Sequence, residues 1–408
     1  MATKKRVDIA IVGAGLIGSA LALWLSKKTN LSIALIERNT PMDAPKEPNQ
    51  RVVALGHLAI DFLRDIGALD LLTPEQSHPY NVMRVWDESS NGELEFDSKS
   101  LDKDKLGCMV DSLACNHALQ QLLIEQAQQN DIKPHPIQCY FGATLQSLSR
   151  ANGRGCLSAL TCDGEALELS AQLIVAADGG QSWVRQQAGI FANHHAYQQR
   201  GIVARIETEE SHQNCAWQRF LSSGPIAVLP LANNQSSIVW SADDTLASEL
   251  LALSAPEFEA RLEYALQSRL GKVALLSDRA GFPLNSQSAE VYYQRNVVLL
   301  GDAAHSIHPL AGQGANLGFK DALVLGRLMA DLSRVEASSK QLGEPKFLAK
   351  YQKKRQGDNQ QTDALMSALH ACYQLELPIW MATRGLGMNF LNRSSLLREA
   401  LAKQAMGI

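Results

Sequence analysis

The apolar positions of this 408-residue chain change rhythm along its length, and the rhythm predicts its elements. From Val7 to Val12 nearly every residue is apolar, as in a strand buried on both faces. "GAGLIG" follows, and from about Leu16 to Lys28 the spacing becomes helical, with Ile17, Leu21 and Trp24 on one face. "LSIALIE" is a second buried run that ends at Glu37, which completes a strand–helix–strand unit. The segment "NTPMDAPKEPNQ" then holds three prolines and continues neither helix nor strand. A long loop is expected there, and loops of that length are often functional.

Further on, "GIVARIETE", "AWQRFL", "IAVLPL" and "SSIVWSA" are strand-like runs parted by "SSG" and "ANNQ". Strands without helices between them predict an antiparallel or mixed sheet, and so a second domain. "PEFEARLEYALQSRL" interrupts it as an amphipathic helix, "NVVLLGD" is again a buried strand of the parallel type, and the tail from Lys346 has a helical pattern. The expected fold class is α/β, a Rossmann-like dinucleotide domain with an inserted mixed β-sheet substrate domain and a helical C-terminal region. The boundaries fall at 1–75, 100–185 and 288–340 for the discontinuous first domain, 76–99 and 186–287 for the sheet domain, and 345–408 for the helices.

Composition removes several functions. Apolar residues make up 46% and charged ones 20%, ordinary for a soluble globular protein. A net charge of −4 leaves no excess of Lys and Arg to neutralise phosphates, so nucleic acid is not an expected partner. Seven cysteines, scattered from Cys108 to Cys372 without a CxxC pair, suggest neither a disulfide framework nor a zinc site and suit a reducing cytosol. The start "MATKKRVDIAIVGAGLIGSALALWL" has the outline of a signal peptide, but glycines interrupt its apolar run, and a strand followed by a helix accounts for it better. No apolar stretch reaches the about 20 residues that span a bilayer, so any membrane contact is expected from the side.

Candidate chemistry lies in three places. Gly13, Gly15 and Gly18 form GxGxxG between strand and helix. The first permits a tight turn, the second lets a pyrophosphate approach the backbone, and the third lets helix and strand pack closely. Glu37 follows about 20 residues later, where an acid can bind ribose hydroxyls. The motif does not separate NAD from FAD. "LIVAADGGQSWVR" is a buried strand ending in Asp178-Gly179, which taken alone is an ordinary turn. Arg51, after the proline-rich loop, is a planar donor suited to a phosphate, although on its own it reads as a surface residue.

The third place is "GDAAHSIHPLAGQGANLGF", residues 301–319. It puts Gly301 and Asp302 at the carboxyl end of a strand, where open α/β sheets bind ligands and a carboxylate can accept hydrogen bonds from a polyol. Gly312, Gly314, Ala315 and Asn316 lead into a helical run, so backbone N–H groups at a positive helix end could face a flat ring that carries negative charge. Pro309 has no N–H to leave unsatisfied against such a ring. His305 and His308 lack a nearby third ligand, so no metal is expected and structural roles fit them better.

With these motifs in hand, the chain resembles the aromatic-ring flavin monooxygenases of the para-hydroxybenzoate hydroxylase fold, flavoproteins of the glutathione-reductase type, and among them the ubiquinone-biosynthesis hydroxylases. The resemblance runs nearly end to end, through "DIAIVGAGLIGSALAL", "RVVAL", "ADGGQSWVR", "YQQRGIVARIETEESH", "QRFLSSGPIAVLPL", "SSIVWS" and above all "GDAAHSIHPLAGQGANLGFKDA". "HPYNVMRVWDE", "LEFD" and the ending "QAMGI" lean towards hydroxylases of quinone rings.

The resemblance implies bound FAD, with NAD(P)H and O2 as co-substrates and hydroxylation through a flavin C4a-hydroperoxide. Gly13, Ala14, Gly15, Gly18, Glu37 and Arg38 would hold the ADP half, with Arg51 near the pyrophosphate and Asp178 in the family's Asp-Gly motif. Gly301 and Asp302 would meet the ribityl chain. Pro309, Gly312, Gly314, Ala315 and Asn316 would line the ring. Asp111-Ser112 stands where relatives often have Glu-Asn or Glu-Arg, a departure that bears on side-chain contact to the flavin. The cofactor carries the reaction, so no catalytic acid or base is assigned.

The segment Phe220 to Leu231, including Leu229, is expected to line the substrate pocket with Trp240; a plain core role fits these residues as well. The substrate implied is a polyprenylated phenol or quinol. Its insolubility suggests recruitment from the cytoplasm to the inner membrane face, or to other ubiquinone-biosynthesis proteins. "PIWMATRGLGMNFLNRSSLLREALAKQAM" mixes apolar and basic residues in a way that could serve this, although helix packing explains it too. The alternative enzyme is a hydroxylase of a small soluble phenolic acid, for which Arg205 and Arg219 are candidate partners of the carboxylate. A non-catalytic flavoprotein scaffold is a third reading, and the halogenase branch is disfavoured because GWxWxIP is absent. Oligomeric state, ring position and chain length stay open.

Overall fold

The computed structural model describes residues 3–45, 47–128, 137–307, 312–334, 338–374 and 377–406. In chain order the first elements are β1 (Thr3–Val12), α1 (Leu16–Lys28), β2 (Ile33–Glu37), β3 (Val52–Leu55), α2 (His57–Ile66), β4 (Ser77–Tyr80), β5 (Val82–Asp87), β6 (Glu93–Asp97), β7 (Gly107–Asp111) and α3 (Ser112–Gln128). Next come β8 (Gln138–Phe141), β9 (Thr144–Ala151), β10 (Arg154–Leu160), β11 (Ala166–Ala176), α4 (Trp183–Gln187), β12 (Ala192–Thr208), β13 (Cys215–Leu221), β14 (Gly224–Pro230) and β15 (Gln235–Asp243). The chain continues with α5 (Asp244–Ala252), α6 (Ala255–Ala265), β16 (Val273–Leu275), β17 (Ala280–Ala289), β18 (Tyr293–Gln294), β19 (Val297–Leu299), β20 (His305–Ser306), α7 (Gln313–Ser333), α8 (Pro345–Gln374), α9 (Pro378–Arg393) and α10 (Ser395–Met406).

The first sheet has a parallel centre in the order β19-β11-β1-β2-β8, extended by antiparallel β18 at one edge and by β10 and β9. Its strands read as unbroken apolar runs because α1 and α7 cover them, which is the reason such strands lack alternation. Glycines bring the two helices close. A Cβ at Gly326 would fall 2.9 Å from the Trp24 ring, and one at Gly318 2.9 Å from Ile17.

The second sheet, in the order β20-β17-β12-β15-β14-β13-β5-β6, is antiparallel except where β13 runs parallel to β5. Successive side chains point to opposite faces of a strand. One face buries Trp217, Ile226, Ile238 and Trp240 against Phe258 and Leu262 of α6. The other face, carrying Val203, Ala216, Ala227 and Val239, looks onto the cavity described below. A small sheet, β3-β7-β4, bridges the two. The C-terminal helices pack back on the chain. Arg384 of α9 pairs with buried Asp87 at 2.9 Å, while Asn389 and Asn392 accept hydrogen bonds from the Glu93 and Glu95 N–H groups of the edge strand β6.

Candidate functional site

Parallel strands in register end in register. Val12 lies opposite both Ala176 and Ile36, and Ala176 lies opposite Leu299. The loops after β1, β2, β11 and β19 therefore leave one edge of the sheet together, and they carry Gly13, Glu37 with Arg38, Asp178-Gly179 and Gly301-Asp302. Gly13 has φ +103°, and a Cβ there would sit 2.3 Å from the Ala177 carbonyl oxygen. A Cβ at Gly18 would sit 2.1 Å from the Gly13 carbonyl oxygen. Both glycines are demanded by the protein itself. Gly15 differs, since a Cβ there meets nothing within 4 Å, and it caps α1 without any side-chain hydrogen bond. The Ala14 N–H donates to the Glu37 carboxylate at 2.8 Å, which joins the tips of β1 and β2. Arg38 is exposed beside it.

Asp178 turns away from the cavity. It accepts hydrogen bonds from the Ser182 hydroxyl and the Val184 N–H and so fixes the start of α4. Burial raises its carboxyl above the ordinary aspartate value, and these hydrogen bonds offset part of the rise. Its neighbour Gly179 borders the cavity instead.

The loop after β19 is held from beneath. Buried Asp321 on α7 accepts hydrogen bonds from His305 Nε2 at 2.6 Å, the Gly301 N–H at 3.2 Å and Arg355 Nε at 2.6 Å. Asn359 and Tyr292 continue the network. Burial alone would raise the Asp321 carboxyl, but His305 and Arg355 hold it below the usual range. Asp302 is free of this network, and its exposed surface opens into the cavity. Protein crowds its carboxyl nonetheless. Desolvation raises it, while the nearby His305 and Arg51 pull it back.

Gly312, in the left-handed region at φ +61°, caps α7 without a side-chain bond. Gly314 and Ala315 line the cavity, and a Cβ at Gly314 would meet nothing within 4 Å. Asn316 does not line it. Its amide donates to the Ala54 carbonyl at 2.8 Å and accepts from the Gly56 N–H at 2.9 Å, which clamps α7 to β3. Pro309 and His308 lie outside the described residues. Arg51 borders the cavity with its guanidinium 5.8 Å from the Phe282 ring centre.

These loops and the second sheet enclose a cavity of about 500 Å3. Leu229 lines it, as expected. Trp240 does not, and the reason is strand parity. Val239 and Ser241 face the cavity, so Trp240 between them faces α6 and packs against Phe258 at 6.2 Å. Phe220 shares a face with Gln218 but is covered by Tyr373 of α8, stacked at 3.7 Å. Arg219 caps the end of α6 by donating to the Ala265 carbonyl at 2.6 Å, and Arg205 donates to Gln235. Neither arginine reaches the cavity. Asp111 caps α3 through the Leu113 and Ala114 N–H groups, while Ser112 lines the cavity next to Arg51. Burial pushes the Tyr80 phenol, also on the cavity wall, up to about 12.

The residues fit a dinucleotide that carries a flat ring. Two helix N-termini lack side-chain caps, and at Gly15, Gly179 and Gly314 the backbone faces space that no protein atom fills. Sequence reasoning missed the residues that stiffen this arrangement. Arg185 donates to the Ala303 carbonyl at 2.9 Å and the Gly180 carbonyl at 3.0 Å, tying two loops together. Gln120 donates to Ala14 and accepts from Met42. Asp321 could have been found, because a carboxylate between Phe319, Ala322 and Leu325 falls on the apolar stripe of its helix.

A family model described as an FAD binding domain matches residues 6–362. The chain is 31% identical to 3-demethoxyubiquinol 3-hydroxylase of Escherichia coli K12, over 100% of both chains. It is 33% identical to ubiquinone hydroxylase UbiL of Rhodospirillum rubrum, covering 99% of this chain and 90% of the relative. Among solved structures it is similar to p-nitrophenol 4-monooxygenase PnpA from Pseudomonas putida DLL-E4, with a TM-score of 0.75 at 16% identity and coverage of 100% and 99%, which establishes the likeness of fold.

Proposed function

The chain belongs to the FAD binding domain family, and from that premise we propose that it hydroxylates the ring of a polyprenylated phenol or quinol in ubiquinone biosynthesis, using NAD(P)H and O2. The carrying observation is the cavity wall formed by the second sheet. Its lining residues Val203, Ala216, Pro225, Ala227, Leu229, Val239 and Phe282 are apolar, and the sheet contributes no cation. The carboxylate of a small phenolic acid would be buried there without a partner. A prenylated ring loses nothing by entering. Among the described lining residues Arg51 is the cation present, and Asp302 draws on its charge.

In this reading the discontinuous domain (1–75, 100–185 and 288–340) holds the cofactor and the sheet domain (76–99 and 186–287) supplies the substrate wall. When bound, FAD supplies the chemistry, delivering one oxygen atom of O2 to the ring with electrons from NAD(P)H. Gly13, Ala14, Gly15 and Gly18 with the start of α1 would take the pyrophosphate, Glu37 and Arg38 the adenosine side, and Arg51 a phosphate. Asp302 would accept hydrogen bonds from ribityl hydroxyls, which favour its ionised form and offset the burial that raises it. Pro309, Gly312, Gly314 and Ala315 would lie along the ring. The apolar wall keeps water from the reacting carbon.

No helix among the described residues is long and apolar enough to cross a membrane. Contact from the side fits α9 and α10, where Ile379, Leu386, Phe390, Leu396 and Leu397 are exposed on helices that also expose Arg393 and Lys403. A mass-spectrometric profile of lipid quinones from cells lacking this chain tests the function. Accumulation of a prenylated intermediate one ring oxygen short is the expected result. An unchanged quinone pool, in a strain with no second hydroxylase for the same ring position, overturns it.

A further inference from the structure

We propose that Gln218 orients the substrate ring by hydrogen bonding to a ring oxygen, and so makes the site select phenols over rings that lack the hydroxyl. This rests on the ring-hydroxylase reading and adds a specificity determinant to it.

Gln218 stands on β13 with its side chain on the cavity face. Its row across the sheet is Ala227 on β14, then Val239 on β15, then Val203 on β12, all apolar and all lining the cavity. The residue is only 6% exposed, yet its amide has no side-chain hydrogen bond among the described residues. Trp217, Arg219, Ser236 and Trp240 of this sheet also each hold a buried polar atom without a partner, but none of the four borders the cavity as Gln218 does. A buried amide without a partner destabilises a protein, so its place in an apolar row calls for a partner that arrives with the ligand. An amide offers both an acceptor for a phenol O–H and a donor for the phenol oxygen. It carries no charge, which matches the absence of a charge on a prenylated ring. Ser241, two strands away on the same face, and Ser306 on β20 are the other polar side chains that the sheet presents here, and their shorter reach gives them less of the cavity.

The test uses the FAD-loaded full chain and its Gln218→Leu and Gln218→Met variants. Two probes are titrated by the change in flavin absorbance: a phenol with a short prenyl chain, and the same molecule without the hydroxyl. Wild type should prefer the phenol. Each variant should lose roughly ten-fold or more in affinity for the phenol and nothing for the deoxy probe. Melting temperature should stay level or rise, since no protein–protein hydrogen bond is removed. An equal loss for both probes, a lower melting temperature in both variants, or no loss at all overturns the proposal. The same pair without the prenyl chain separates the two readings. Discrimination that persists there, with no binding of the prenylated pair, would sink the prenylated substrate and leave Gln218 in its role.

Discussion

At the scale of single residues, glycines with the same name have different employers. Gly13 and Gly18 are required by protein atoms 2.3 and 2.1 Å from where a Cβ would stand, whereas Gly15 faces open space. Gly18→Ala should therefore destabilise the apoprotein in a urea melt. Gly15→Ala should leave that melt within about 0.5 kcal/mol and instead lower the FAD retained on purification, read from its visible flavin absorbance. Asp321 makes a sharper case. Asp321→Ala removes the carboxylate that buried His305 and Arg355 share, leaves Arg355 with Asp358 as its one charged partner, and should cost about 3 kcal/mol of stability. Its folded-state carboxyl lies below the ordinary value, so its contribution is present above the unfolded range and is lost as pH falls through the lowered folded value. Urea midpoints of wild type and variant should converge in acid and stand apart at neutral pH. The spacing of GxGxxG is enough to make the glycine roles legible in the sequence. Asp321 is harder to see, because the glycines of the preceding "GQGANLG" draw attention away from the apolar stripe that its carboxylate interrupts.

At the scale of elements, strands buried on one face and on both look alike in the sequence. "SSIVWSA" is apolar or small throughout, so nothing in it reveals which parity meets the cavity, and Trp240 proves to lie on the side opposite to the one expected. Helix α9 is legible as a helix, but its docking is not, because the partners are hundreds of residues away. Asn389 and Asn392 reach the free N–H groups of an edge strand, and Arg384 neutralises Asp87, which is 3% exposed. Arg384→Ala leaves that carboxylate buried and unpaired. The expected outcome is faster amide exchange along α9 with the first sheet unchanged; uniform protection across α9 would show that the pair does not hold the helix.

For the whole molecule, the α/β class and the two sheets follow from the change between unbroken and strand-like runs, and the family follows from three short motifs. The cavity does not, because it lies between elements that no local pattern relates. The exposed stripe of α9 and α10 belongs to this scale too. Leu386→Ser combined with Phe390→Ser should reduce co-sedimentation with anionic vesicles severalfold while turnover of a short-chain phenol in solution is unchanged. Equal sedimentation of variant and wild type would assign the stripe to something other than a bilayer. The register that aligns β1, β11 and β19 also sets a timetable for synthesis. Val12 emerges from the ribosome long before Leu299, and the sheet edge that receives the cofactor is incomplete until that late strand is laid beside β11. A nascent chain halted before β19 has no finished pocket, so FAD should stabilise only chains that extend past β19 and the start of α7. Capture of the cofactor thereby marks a chain whose first sheet is complete.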